Sequence, residues 1–285
     1  MIHQITSRVG FGTASLHHLH KLSTKLNLLD SAYNAGIRYF DTAPLYGHGV
    51  AERTLGQFIK RHHSQSEIVC ATKVGLIPNP FITKCPKLLL PYIALRKITT
   101  ASHLINPAYW QPKKDYSATY LTQRIENSLT SLGLDCLDIV LLHEPSLIDL
   151  QAIDNLNEAV LKLKQRGLIK HFGISSQIES AQWLKTNSPE LAEIIQLELP
   201  IKLTIADKEW ITNNATATFG HFRLHPEQQS TNITYLEQVA IKAVDLNPNG
   251  TILFSSTKNT HIDSFVSAIT AADKKIHEVK GANQL

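Results

Sequence analysis

Gly36-Ile37-Arg38-Tyr39-Phe40-Asp41-Thr42-Ala43-Pro44-Leu45-Tyr46-Gly47 runs from a glycine through strand-forming residues into an acid, a proline and a tyrosine. Ile37, Tyr39 and Phe40 favour a buried strand, whereas Pro44 and Gly47 cannot continue one, so Asp41 falls at the strand's carboxyl end. In parallel α/β folds that end faces ligand. Taken singly, Asp41 reads as a helix cap and Tyr46 as loop packing. The chain on either side decides between the two.

Toward the N-terminus, Val9-Gly10-Phe11-Gly12-Thr13 is a short strand. Helical spacing through Leu22, Leu26, Leu29 and Tyr33 follows, with Ser23 or Thr24 as N-cap and Gly36 as stop. Toward the C-terminus the same unit recurs: a helix from Ala51 to His62, then a strand from Glu67 to Lys73. Ser117 or Thr119 caps a helix running to Gly133, and the apolar strand from Leu137 to Leu142 ends at His143. A helix from Leu150 to Arg166 leads to the strand from Ile169 to Ile174, which opens into Ser175-Ser176. Strands at 194–197, 215–219 and 251–255 alternate with helices through 181–185, 204–213, 233–246 and 259–271. Eight strands in strict alternation with helices predict an α/β protein, a single-domain (β/α)8 TIM barrel over residues 1–285. A doubly wound sheet would share the alternation, but Gly10 and Gly12 lack the third glycine of a dinucleotide-binding turn.

The pattern breaks once. Between Val74 and Tyr116 the periodicity is lost amid six prolines, which predicts a long loop insertion at about 75–116. Its Phe81, Tyr92, Tyr109 and Trp110 suit a lid over an apolar ligand, and equally a disordered or partner-binding insertion.

Bulk properties narrow the class. The 285 residues are 43% apolar with a formal charge of +4, and the basic residues are scattered; an anionic cofactor suits this charge and nucleic acid is not implied. Three cysteines without paired spacing point to a reduced, cytoplasmic protein. The first ten residues lack a signal-peptide core, and the apolar run from Leu88 to Leu95 is far short of a membrane span. His17-His18-His20 lacks zinc-pair spacing and an adjacent carboxylate, so no metal is expected. No serine or cysteine sits in a nucleophile elbow.

In such a barrel, strand ends distant in sequence converge on one mouth, which makes Asp41, Tyr46, Lys73 and His143 neighbours. A lysine ammonium beside a tyrosine favours the ionised phenol, so Tyr46 becomes a usable proton donor to a carbonyl oxygen that receives hydride. Asp41 would pair with Lys73, and His143 would orient the carbonyl. Hydride itself must come from a cofactor.

With these residues in place, the sequence resembles the aldo-keto reductase family along nearly its whole length. Phe40-Asp41-Thr42-Ala43-Pro44-Leu45-Tyr46-Gly47 with Glu52 is similar to the family's signature, and Ala71-Thr72-Lys73 and Leu141-Leu142-His143 match the strands carrying its catalytic lysine and histidine. The resemblance implies a catalytic set of Asp41, Tyr46, Lys73 and His143. It also implies a nicotinamide site at Gly173-Ile174-Ser175-Ser176, with Gln196 sharing the carboxamide and Phe219 against the ring; Gly12, Thr13 and Asp41 join the cofactor-binding residues. At the adenosine end, Ser255 and Ser256 fall at phosphate-binding positions, His261 stands where many members have arginine, and Phe265 where asparagine contacts adenine. Lys258 would supply charge for a 2′-phosphate, which makes NADPH the expected cofactor, with NADH possible. The stretch from Gly220 to Asn232 is shorter than in many relatives. The implied substrate is a small carbonyl or alcohol, an aldehyde, ketone or sugar. A second reading stays open: a weak or inactive barrel that senses cofactor as a binding or regulatory subunit. Nothing in the sequence sets an oligomeric state.

Overall fold

A computed structural model describes residues 7–62, 67–102, 105–153, 155–200, 202–224 and 233–282. Eight parallel strands close into a barrel in sequence order. We label them β1 (Val9–Gly12), β2 (Tyr39–Asp41), β3 (Val69–Val74), β4 (Leu137–His143), β5 (Ile169–Ser176), β6 (Ile194–Glu198), β7 (Ala217–Phe219) and β8 (Thr251–Phe254). β8 pairs back onto β1, with Val9 opposite Ile252, so no barrel edge is left open.

Alternation along each strand separates an interior from an exterior. Tyr39, Ala71, Ile139, Leu141, Ile194, Ala217 and Leu253 form one small buried cluster, which fills the barrel. Their sequence neighbours Phe40, Cys70, Val140, Leu142, Ile195 and Ile252 belong to the larger cluster beneath the helices. The same parity turns Asp41, Lys73, His143, Ser175, Gln196 and Phe219 inward, one step nearer the carboxyl ends than the interior cluster. Gly10 is required here: a Cβ would lie 2.3 Å from Leu253 and 2.8 Å from Tyr39.

Several helix boundaries differ from expectation. The first helix is Leu22–Asn34 with Lys21 as its N-cap, and neither Ser23 nor Thr24 caps it. The expected helix from Leu150 to Arg166 is two helices, Leu147–Gln151 and Leu156–Gln165. Ser146 and Asp149 form a reciprocal capping box that starts the first early. Asn155, at φ 57°, breaks the path before the second. The last helix, Asn259–Ala282, outruns its expected end.

The insertion is the main correction, because it is not a structureless loop. An antiparallel ribbon pairs Leu76–Ile77 with Lys113–Lys114 and closes its base. Within it lie a helix Pro80–Lys84 capped by Asn79, a 3-10 turn Pro86–Leu88, a helix Leu89–Ala101 and a 3-10 turn Pro107–Trp110. Pro80, Pro86 and Pro91 occupy first turns, where a missing N–H costs nothing. Pro80 starts a helix, Pro86 starts a 3-10 turn, and Pro91 sits third in the helix that begins at Leu89. Most of the shortened 220–232 stretch lies outside the described residues.

Candidate active site

Lys73 organises the barrel mouth. Its side chain is almost fully buried at the end of β3, and its Nζ donates to both Asp41 carboxylate oxygens at 2.6 and 2.5 Å, to the Thr42 carbonyl at 3.2 Å and to the Tyr46 hydroxyl at 3.1 Å. Burial alone would push the Lys73 pKa down, but Asp41 and Tyr46 more than offset it, and the net shift is upward. The ammonium is therefore retained. β2 supplies Asp41, whose Oδ1 also accepts from Gln196 Nε2 at 3.0 Å, and the turn that follows carries Tyr46 beside it.

His143 closes the set from the end of β4. Its ring meets that of Tyr46 edge to face, centroids 5.7 Å apart. Burial, reinforced by the Lys73 charge, holds its pKa well below the ordinary value, so the imidazole is neutral. For Tyr46 burial outweighs the lowering by Lys73, and its pKa is pushed up to about 12. The lysine acts in the expected direction, but the net shift is opposite to the sequence-based expectation. At neutral pH the phenol holds its proton.

The other expected residues fall into two groups. Gly12 pairs with Asp41 in register, and the buried Thr13 donates its hydroxyl to Thr42 Oγ1 at 2.9 Å. Ser175, buried between His143 and Gln196, lies in register with both. Ser176 Oγ donates to the Gln177 carbonyl, and Phe219 lies partly buried at the end of β7. Gln196 Oε1 is buried with no partner among the described residues. An acceptor without a donor at this mouth fits a primary carboxamide, the group a nicotinamide carries.

At the far end, Ser255, Lys258 and His261 are exposed around the N-terminus of the helix Asn259–Ala282. That end is chemically suited to phosphate. Ser256 is not free for it: its Oγ accepts from the Lys258 N–H at 3.0 Å and sits 3.3 Å from His261 Nδ1. Phe265 is fully buried and stacks on Phe254 at 4.3 Å. Among the described residues, no group of three or more His, Cys, Asp or Glu could hold a metal ion.

Two participants had no signal in the sequence. Tyr116 donates its hydroxyl to the His143 carbonyl at 2.7 Å. Gly75, at φ 114°, leaves the space that the Tyr116 ring fills.

The family model for the aldo/keto reductases matches residues 8–211, nearly three-quarters of the chain. The chain belongs to the aldo/keto reductase family. The match stops within the helix Ile205–Asn214, before β7 and β8, the part where the aldo/keto reductase resemblance is thinnest. Over 177 residues the chain is 30% identical to D-threo-aldose 1-dehydrogenase from a Pseudomonas species, covering 61% of this chain and 51% of that one. It is 33% identical over 171 residues to an uncharacterized oxidoreductase of Bacillus subtilis, covering 60% and 45%. The chain thus spans about half the length of these relatives. The holo form of an aldo-keto reductase from Bacillus halodurans shares the fold, with TM-score 0.69, 20% identity, and 96% and 92% of the two chains covered.

Proposed function

We propose that the protein is an NAD(P)H-dependent oxidoreductase that interconverts a small carbonyl compound and its alcohol, with Tyr46 as general acid and base. The observation that carries this reading is the Lys73 ammonium, bonded at once to the Asp41 carboxylate and the Tyr46 hydroxyl beside a neutral His143. Gln196 and Ser175 would hold a nicotinamide carboxamide, and Ser255, Lys258 and His261 would meet the phosphates. Lys258 would supply charge for a 2′-phosphate, which favours NADPH over NADH. The bound nicotinamide supplies the hydride that no side chain can. The chain's own part is the proton: Tyr46 Oη gives it to the substrate oxygen as negative charge develops there, and Lys73 stabilises the tyrosinate left behind. His143 donates a hydrogen bond that fixes the substrate oxygen between itself and Tyr46. The relative named for D-threo-aldose supports an aldose or a related hydroxy-aldehyde as substrate.

Fluorescence titration with NADPH and NADH tests the site before any substrate is known. Tyr46→Phe should then lower carbonyl reduction by about 100-fold or more while leaving cofactor affinity within about twofold. Substantial residual turnover removes Tyr46 from this role. The buried Phe265 and the spent Ser256 hydroxyl favour a second reading, a barrel without turnover that serves as a binding or regulatory subunit. Failure to bind either dinucleotide would give that reading the lead.

A further inference from the structure

The insertion holds an imbalance that neither the fold nor the catalytic reading uses. Residues 75–114 contain six Lys and Arg and no Asp or Glu, so the other 22 basic residues face all 24 acidic ones. The whole positive balance of the chain therefore resides in this segment. Lys84, Lys87, Arg96, Lys97, Lys113 and Lys114 are all exposed. Among the described residues only Lys114 of the six has an ion-pair partner, Asp149.

The helix Leu89–Ala101 packs on the protein by one side and leaves an apolar stripe exposed on the other. Leu89 and Thr99 face the protein at 5% and 7% exposure. On the other side Leu90, Ala94, Ile98 and Ala101 follow one another at helical spacing, with Pro91 and Leu95 alongside, and all are exposed. Leu90, Leu95 and Ile98 are 45%, 53% and 63% exposed, and Phe81 and Tyr109 on the same insertion reach 77% and 75%. A stripe of this kind, edged by Lys97, is the sort of exposed apolar surface an interfacial helix presents.

We propose that the insertion is a docking surface for anionic lipid bilayers, with the apolar stripe seated in the interface and the cations on the headgroups. A second copy of the chain fits the charge less well, since a two-fold contact through this face would bring like cations together. The helix itself packs toward the barrel mouth by its other face: Tyr92 contacts His48 at 5.2 Å between ring centroids, two residues beyond Tyr46. No membrane crossing is involved, as no helix among the described residues is long and apolar enough for one.

Flotation of the full chain with vesicles tests this, comparing phosphatidylcholine alone with a mixture containing about one-third phosphatidylglycerol. The protein should float with the anionic vesicles only, and raising salt from about 0.1 to about 0.5 M should weaken binding roughly tenfold. The exposed variants Leu95→Ser with Ile98→Ser, and Lys97→Glu, should each lose about tenfold in binding with unchanged circular dichroism and dinucleotide titration. No flotation, or equal flotation with neutral vesicles, overturns the proposal. So does undiminished binding by the Leu95→Ser, Ile98→Ser variant, which would reduce the effect to charge alone. A dimer in light scattering that these variants disperse would assign the face to a second copy, and tighter binding to polyglutamate than to vesicles would assign it to an acidic protein; either result also overturns it.

Discussion

Tyr46 shows how a single group's chemistry depends on what surrounds it. Burial pushes its pKa up to about 12 against the opposing pull of Lys73, so the phenol is a proton donor throughout the physiological range. With Tyr46 as the proposed general acid, reduction would need the protonated phenol and should stay flat with pH until that value is approached. On the same proposal the reverse reaction would need the phenolate and should rise roughly tenfold per pH unit below it. His143 is held neutral, so its protonation should not cut reduction as pH falls through about 6.5. Measuring kcat in both directions between about pH 6 and 9 checks this, and a bell centred near the ordinary histidine range would contradict it. Asp41, Lys73 and His143 were legible as strand-end residues because residue type and local boundary signals sufficed. Tyr116 was not, since its contact with the His143 carbonyl joins segments 27 residues apart without any local pattern.

Among the elements, the insertion departs most from expectation, and its prolines explain why. A proline reads as a breaker in a window of sequence, yet in the first helical turn it occupies a position whose N–H needs no partner. The return of the insertion to the barrel depends on Gly75. An added Cβ would sit 2.0 Å from the Tyr116 ring at a φ of 114°. Gly75→Ala should therefore destabilise the protein by about 3 kcal/mol in urea denaturation, combining strain with displacement of the ring. Tyr116→Phe keeps the ring and loses only its hydrogen bond, at a cost of about 1 kcal/mol. If Gly75→Ala cost no more than Tyr116→Phe, the packing account would fail. The split between Gln151 and Leu156 was hidden for a related reason: the apolar spacing runs on through Leu150, Ile153 and Leu156, while the backbone at Asn155 changes hand.

For the molecule as a whole, closure of the barrel joins the two ends of the described chain. Arg8, just before β1, pairs with Asp273 of the last helix at 2.9 Å and donates to the carbonyls of Asn247 and Gly250. Arg8→Ala should cost about 2 kcal/mol and lower Tm by roughly 5 °C in a thermal melt, because charge-assisted bonds across the closing seam are lost. An unchanged Tm would mean the β1 to β8 ladder closes the barrel unaided. The sequence by itself determined the alternation of eight strands with helices and the inward face of the strand ends, since both follow from local propensity and a period of two. Only the tertiary structure decided the order within the insertion, the raised pKa of Tyr46 and the Tyr116 bond to His143, because these depend on which distant segments bury one another.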